Sequence, residues 1–201
     1  MTRKTAITLV AMALVAVAAA APAQAQTSTT GAVVAVQGGG FSALTNLNDP
    51  GTADYKTGFN LGAAAGYQVN SILTVRGSFT FVRAETRGTA LPAVIKAGTM
   101  MNQYRYGAEL QLKAPLSNGV SPYLVAGGGA ITFKPDTTPA SDSITKPAGK
   151  LGAGLNFEIP KSNASVFVEG AGWLYKFDHF GFDKTQFDLT WSAGLSYRFG
   201  R

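Results

Sequence analysis

The sequence predicts an all-β protein, an eight-stranded antiparallel up-and-down transmembrane β-barrel. Three observations support this fold class. Apolar and polar residues alternate with a period of two in segment after segment, the connections between these segments are alternately short and long, and the composition is rich in glycine and poor in charge. Of the 201 residues, 24 are Gly and only 14% are charged, whereas typical soluble domains carry about 7% Gly and about 25% charged residues.

The composition also excludes several classes of protein. The chain contains no Cys, so disulfide bonds and thiolate metal sites are excluded. Its 17 basic residues outnumber its 11 acidic residues, but from residue 26 onward the basic residues are scattered singly, and we therefore expect no nucleic-acid partner. No apolar run beyond the N-terminal segment is long enough for a membrane helix, so a membrane location requires spanning strands.

The N-terminal segment has the features of a secretory signal peptide. Arg3 and Lys4 form a short basic region, residues 6–21 are an uncharged apolar run, and Ala23 and Ala25 form an A-x-A cleavage site. The alternative is a transmembrane anchor, but the run is short for one. Cleavage would lower the formal net charge from +6 to +4. The predicted segments are a signal peptide, 1–25, and a barrel domain, 26–201.

Eight segments alternate as β-strands do. The first and fifth contain the Gly triplets 38–40 and 127–129, which predict bulges or bends, whereas the second, third, fourth and sixth alternate cleanly. In the seventh, one set of alternate residues (one parity of the strand) is aromatic and the other is aliphatic. The sequence therefore leaves open which set faces the inside of the barrel. The eighth is far longer than the usual globular strand of about five or six residues. The predicted strands are 32–44, 58–68, 73–81, 103–113, 123–133, 150–159, 166–177 and 186–199.

The connections predict how the strands are ordered. Short connections rich in turn residues alternate with longer polar ones, which places all the long loops at one end of an up-and-down barrel. The short connections are 69–71, 114–121 and 160–163, and the long ones are 45–54, 84–101, 134–147 and 176–184.

Two features predict that the apolar parity faces lipid rather than the inside of a soluble barrel. The polar parity is crowded with small residues, which suit a narrow interior: Gly58, Gly62, Ala64, Gly66, Ser78, Gly107, Gly152, Gly154 and Gly194. The apolar parity carries aromatic residues near strand ends, as membrane-interface girdles do: Tyr67, Tyr104, Tyr106, Trp191, Tyr197 and Phe199.

The chain from residue 26 onward resembles the small bacterial outer-membrane β-barrels of the OmpA-like, OmpX-like and opacity type. The most specific part is the final strand, in which Leu195, Tyr197 and Phe199 resemble the C-terminal signal that barrel assembly machinery recognises. The segment 121–129 is similar to a fifth-strand pattern of such barrels. The resemblance implies a monomer in the Gram-negative outer membrane, in contact with outer-membrane lipid and lipopolysaccharide, with no cofactor.

Charged residues on the polar parity are expected to pair inside the barrel, because a buried charge is costly without a partner. Arg76 and Glu109 fall at similar heights on neighbouring strands, and Glu169 lies within reach across the barrel. We interpret these charges as a plug, with a small conductance pathway as the alternative. The candidates are Arg76, Arg105, Glu109, Lys113, Lys150, Glu158, Glu169, Asp188 and Arg198.

The expected function is structural or surface-interacting, in envelope integrity or in adhesion to a host or envelope partner through the long loops, and not that of a large diffusion pore. Two alternatives stay open. One is a lipid-modifying enzyme that uses His179, although Asp178 is poorly placed to orient it. The other is a soluble periplasmic lipid-binding barrel. We expect no catalysis. We also expect no metal site, since Pro50 interrupts the oxygen-rich segment 46–54.

Overall fold

The computed structural model describes residues 30–47, 53–88, 97–114, 116, 119–137, 142–178 and 183–199. Nine β-strands and no helices are found in these ranges, and none of the described residues belongs to a helix suited to crossing a membrane. The strands are β1 Gly31–Ala43, β2 Ala53–Tyr55, β3 Gly58–Gln68, β4 Leu73–Gly88, β5 Met100–Lys113, β6 Val120–Pro135, β7 Ile144–Glu158, β8 Ala164–Phe177 and β9 Lys184–Phe199.

Eight of these strands form a closed antiparallel barrel. Around the barrel the order is β1, β3, β4, β5, β6, β7, β8 and β9, and each strand pairs with its neighbour in this order. The final strand returns to the first, where Leu195 lies opposite Val36. Closure leaves no open edge in the barrel sheet. A protein that crosses lipid with strands needs this closure, because unpaired backbone groups cannot bond to water there. The predicted eight-stranded up-and-down barrel is therefore confirmed.

Strand β2 is an addition to that barrel. It pairs with the end of β4, with Ala53 opposite Gly88 and Tyr55 opposite Thr86. The segment had been expected to form part of a long loop. The same end of the barrel has longer strands than predicted, since β4 continues to Gly88 and β5 begins at Met100.

The extra strand length has a physical cause. Toward the long loops, inward positions change from polar to apolar, as at Val82, Ala84, Met101 and Phe133, all buried. Outward positions there become charged, as at Arg83. The residues of such a strand still alternate, but the polar ones face inward in one half and outward in the other. A search for one continuous polar face therefore ends the strand too early.

Most of the barrel is polar inside and apolar outside. Arg105 and Asp188 are 0% exposed, whereas Leu151 is 65% exposed on the outer surface. Strand β8 also has a definite facing, because Phe167 points inward and Val168 outward. Outward apolar residues would be unstable in water, and they fit the hydrocarbon of a bilayer.

Glycine makes room for large side chains in this narrow interior. A Cβ at Gly154 would overlap the Tyr123 ring, and one at Gly194 would lie 2.6 Å from Cζ of Phe167. On the outer surface, the indole of Trp191 similarly lies across Gly40. Glycine on the inward parity thus allows aromatic and charged side chains to cross the barrel.

Candidate functional site in the barrel interior

Four charged side chains form a closed ring in the half of the interior nearer the short turns. Arg76 Nε contacts Glu109 Oε1 at 2.5 Å, and Glu109 Oε2 contacts Lys150 Nζ at 2.7 Å. Lys150 Nζ contacts Glu169 Oε1 at 2.9 Å, and Glu169 Oε2 contacts Arg76 Nη2 at 2.8 Å. We call these four residues the charge ring. Two cations and two carboxylates alternate around it, so its net charge is zero.

The pairing register of the barrel strands brings the four residues of the charge ring together. Arg76 on β4 lies directly opposite Glu109 on β5, and Lys150 and Glu169 come from the adjacent strands β7 and β8. All four residues are at most 8% exposed. Tyr123 adds a hydrogen bond by donating from its hydroxyl to Glu169 Oε2 at 3.2 Å. Each buried charge therefore has at least two polar partners, which offsets the cost of removing it from water.

A second ion pair lies nearer the long loops. Arg105 Nη2 contacts Asp188 Oδ2 at 2.6 Å, and both residues are fully buried. The same Nη2 donates to Gln103 Oε1 at 2.6 Å, and the Tyr175 hydroxyl donates to Asp188 Oδ2 at 2.9 Å. The bond from Tyr175 explains why an aromatic residue occupies an inward position beside a carboxylate.

Trp173 separates the two layers of charge. The Arg105 guanidinium lies 5.4 Å from the centre of the indole ring, and Lys150 Nζ lies 5.7 Å from it. Both distances are within the range of cation–π attraction. The Trp173 indole thus fills the space between the charge ring and the Arg105–Asp188 pair.

An apolar cluster closes the interior at the long-loop end, and we call it the mouth cluster. Leu47 of the first long connection and Tyr55 of β2 are buried in it together with Phe41 of β1. That connection is held by hydrogen bonds, from Leu47 N to Ala53 O at 2.8 Å and from Thr45 Oγ1 to Gln186 Oε1 at 2.8 Å. The other buried members of the mouth cluster are Ala53, Val82, Ala84, Met101, Ile131, Phe133, Ala148, Trp173, Tyr175 and Phe177.

Ion pairs also connect the strands at the rim of this end. Lys56 and Glu85 lie 2.6 Å apart, and Arg83 and Asp136 lie 2.9 Å apart. A hydrogen bond from Lys146 lowers the pKa of the Asp178 carboxyl.

Three predicted interior charges belong neither to the charge ring nor to the Arg105–Asp188 pair. Glu158 is exposed, and Lys113 and Arg198 are half-buried, all at the short-turn end. Sequence reasoning missed Tyr123, Trp173 and the mouth cluster. Trp173 belongs to the segment whose facing the sequence left open, so its aromatic parity was the available signal.

The remaining predicted residues divide between the outer surface and the undescribed ranges. Leu195, Tyr197 and Phe199 are about half exposed on the outer face of β9, and the last two rings lie 4.8 Å apart. Ala23 and Ala25 of the predicted signal peptide and His179 of the enzyme alternative lie outside the described residues. Within the described ranges, no three His, Cys, Asp or Glu residues are grouped so as to hold a metal ion.

Comparisons with known proteins agree with this geometry. The chain is similar to Neisserial surface protein A (NspA), with 16% identity and a TM-score of 0.63 over 87% of this chain and 100% of that one. It is similar to OprG from Pseudomonas aeruginosa, with 15% identity and a TM-score of 0.52 over 86% and 98%. The N-terminal β-barrel domain of Pseudomonas aeruginosa OprF gives 12% identity and a TM-score of 0.50 over 83% and 97%.

These likenesses concern the fold alone, and a search of curated protein sequences finds no match. A family model covers far more of the chain than half. The model for the outer membrane protein beta-barrel domain matches residues 10–199, a range that contains every strand of the barrel. With its closed barrel, apolar outer face and charged interior, the chain belongs to the outer-membrane β-barrel domain family.

Proposed function

We propose that this protein is a closed structural barrel of the outer membrane, which anchors its long loops at the cell surface and acts in envelope integrity or adhesion. The observation that carries the proposal is that ion pairs cross the interior. Arg76 and Glu169 stand on β4 and β8, which are four strands apart in an eight-stranded barrel and so face each other across its full width. Arg105 and Asp188, on β5 and β9, have the same relation.

Such cross-links favour a plug over a wide pore. Interiors of eight-stranded barrels are just wide enough for side chains to fill. Here the two charge layers with Trp173 between them, and the rest of the mouth cluster at the long-loop end, fill the interior. Residues that brace opposite walls also resist collapse of the barrel. A closed barrel leaves the long loops as the surface on which a host or envelope partner would act.

Conductance in planar lipid bilayers tests the closed interior. We expect the wild-type protein to give no large, steady conductance, because charged side chains cross the lumen at two levels. Glu109→Ala frees one end of Lys150 and of Arg76, and we expect brief, small conductance events in this variant. A large open channel in the wild-type protein would overturn the proposal.

A deletion strain separates the two roles. Complementation with a barrel whose long loops are shortened should restore resistance to detergents if the protein serves envelope integrity. It should fail to restore attachment to host cells if the loops serve adhesion. Failure of full-length protein to affect either property would contradict both roles.

We also propose that the barrel is not an enzyme, that it is monomeric, and that it contacts outer-membrane lipid, lipopolysaccharide and the barrel assembly machinery. The contacts with lipid are supported by the apolar outer face. The test of the enzyme alternative is release or transfer of acyl chains by purified protein. Activity that His179→Ala abolishes would show that the barrel is catalytic.

A further inference from the structure

A polar cavity lies inside the barrel between the charge ring and the short turns, and we call it the periplasmic vestibule, since short turns face the periplasm in this family of barrels. It has two adjoining compartments, of about 20 Å³ and 40 Å³, that share Lys113, Asn156 and Ser196 in their walls. Together they have room for roughly three to five water molecules. The turn residues Ser162 and Asn163 form part of the wall of the larger one.

The vestibule has more positive than negative charge. Lys113 and Arg198 line the larger compartment. Within the described part of the chain, neither of them forms an ion pair with a carboxylate oxygen within 4.0 Å. Glu158 is the one carboxylate in the described wall, and it is exposed. Arg76 reaches the smaller compartment, but its charge is balanced in the charge ring. The vestibule thus holds two cations against one carboxylate.

The neutral wall residues add hydrogen-bond donors. Asn156 Oδ1 accepts a hydrogen bond from Ser165 Oγ at 2.8 Å, which leaves the Asn156 amide nitrogen as the group available to the cavity. Gln111 lines the smaller compartment and contributes a second amide. Amide and cationic donors in a partly desolvated cavity are the groups that bind oxyanions.

We propose that the periplasmic vestibule is a binding site for a phosphate group, with Lys113 and Arg198 as its principal ligands. Lys113 stands on β5 and Arg198 on β9, four strands apart, so their charges approach the cavity from opposite walls. A tetrahedral phosphate presents oxygens in both directions, whereas a planar carboxylate presents them along one edge. The phosphate group can come from free inorganic phosphate or from a phospholipid headgroup of the periplasmic leaflet.

Glu158 gives the proposal an internal check. Its carboxylate lines the same compartment and repels an anion there. Neutralising it must therefore strengthen binding, while neutralising either cation must weaken it. A general loss of folding cannot produce these opposite effects.

The experiment is a titration of inorganic phosphate into the full-length protein in uncharged detergent, followed by backbone amide NMR shifts of Asn156 and Ser196 at constant ionic strength. We expect saturable shifts in the wild-type protein. Lys113→Gln and Arg198→Gln should each weaken phosphate binding about tenfold, which is the scale of one charge-assisted hydrogen bond. Glu158→Gln should tighten it several-fold.

Lys161→Gln is the matched control, since Lys161 is an exposed cation in the adjacent short turn and lies outside the vestibule wall. It should leave phosphate affinity unchanged. Repeating the titration in the uncharged detergent with and without added phosphatidylglycerol identifies the source, because the detergent alone contains no phosphate group. Competition by phosphatidylglycerol in the wild-type protein indicates a lipid headgroup, and its absence indicates free phosphate. The proposal is overturned if no saturable shift appears, or if Lys113→Gln and Arg198→Gln bind phosphate as the control does.

Discussion

At the scale of single residues, the interior is organised by shared carboxylates. Glu109 binds Arg76 with one oxygen and Lys150 with the other, and Glu169 does the same from the opposite side. Removing either carboxylate would leave two buried cations with one partner between them. The loss of folding free energy then exceeds that of the broken hydrogen bonds alone, because an uncompensated charge stays buried away from water.

Glu109→Ala should therefore lower the free energy of unfolding by about 3–5 kcal/mol, the range for breaking a buried ion pair. Urea unfolding in lipid vesicles, followed by the gel mobility of folded and unfolded protein, measures the change. The control is Asp142→Ala, an exposed carboxylate between β6 and β7 at the long-loop end, which should change stability by about 0.5 kcal/mol or less. Equal losses in the two variants would contradict a stabilising role for the charge ring.

At the scale of the element, strand β9 carries two roles on two faces. Its inward residues include Asp188 of the buried ion pair, and its outer face bears the exposed apolar residues Leu195, Tyr197 and Phe199. It also closes the barrel against β1. The outward residues make no contact with the interior, so their effect on assembly is separable from their effect on packing.

Phe199→Ala is expected to reduce the amount of folded protein in the outer membrane of cells several-fold, because the terminal aromatic resembles the signal read by the assembly machinery. Refolding of purified protein into detergent should change little. Phe157→Ala is the comparison, since Phe157 is 40% exposed on the outer face near the same end. If both variants reduce assembly equally, the final strand carries no special signal.

At the scale of the whole molecule, the barrel reverses the polarity of a water-soluble protein. Charged residues such as Arg105 lie inside, and large apolar residues such as Leu151 lie outside. This arrangement disfavours the alternative of a soluble periplasmic barrel, whose outer surface must be polar.

Leu151→Arg places a charge on the outer surface near the middle of β7. In a bilayer it should cost about 2–4 kcal/mol, whereas Leu44→Arg at the long-loop rim should cost about 0–1 kcal/mol. Equilibrium unfolding from lipid vesicles measures both. A soluble barrel would show no such difference, and Leu151→Arg would be tolerated in aqueous buffer.

Much of this was accessible from the sequence. Period-two alternation located all eight barrel strands, because one buried face of a sheet imposes that period on any sequence. The matching height of Arg76 and Glu109 also followed from counting residues from the short-turn ends of two neighbouring strands. Strand limits near the long loops were less accessible, since the apolar and polar parities exchange faces there.

The sequence by itself determined the number of barrel strands and the closed meander, which depend on local periodicity and on the lengths of connections. It also determined the face that meets lipid, which depends on where small and aromatic residues fall along the strands. Only the tertiary structure decided which charges meet across the barrel, the inward facing of Trp173, and the burial of Leu47 and Tyr55 in the mouth cluster. The physical reason is that these contacts join residues on opposite walls. Their positions depend on the stagger and closure of all eight strands together.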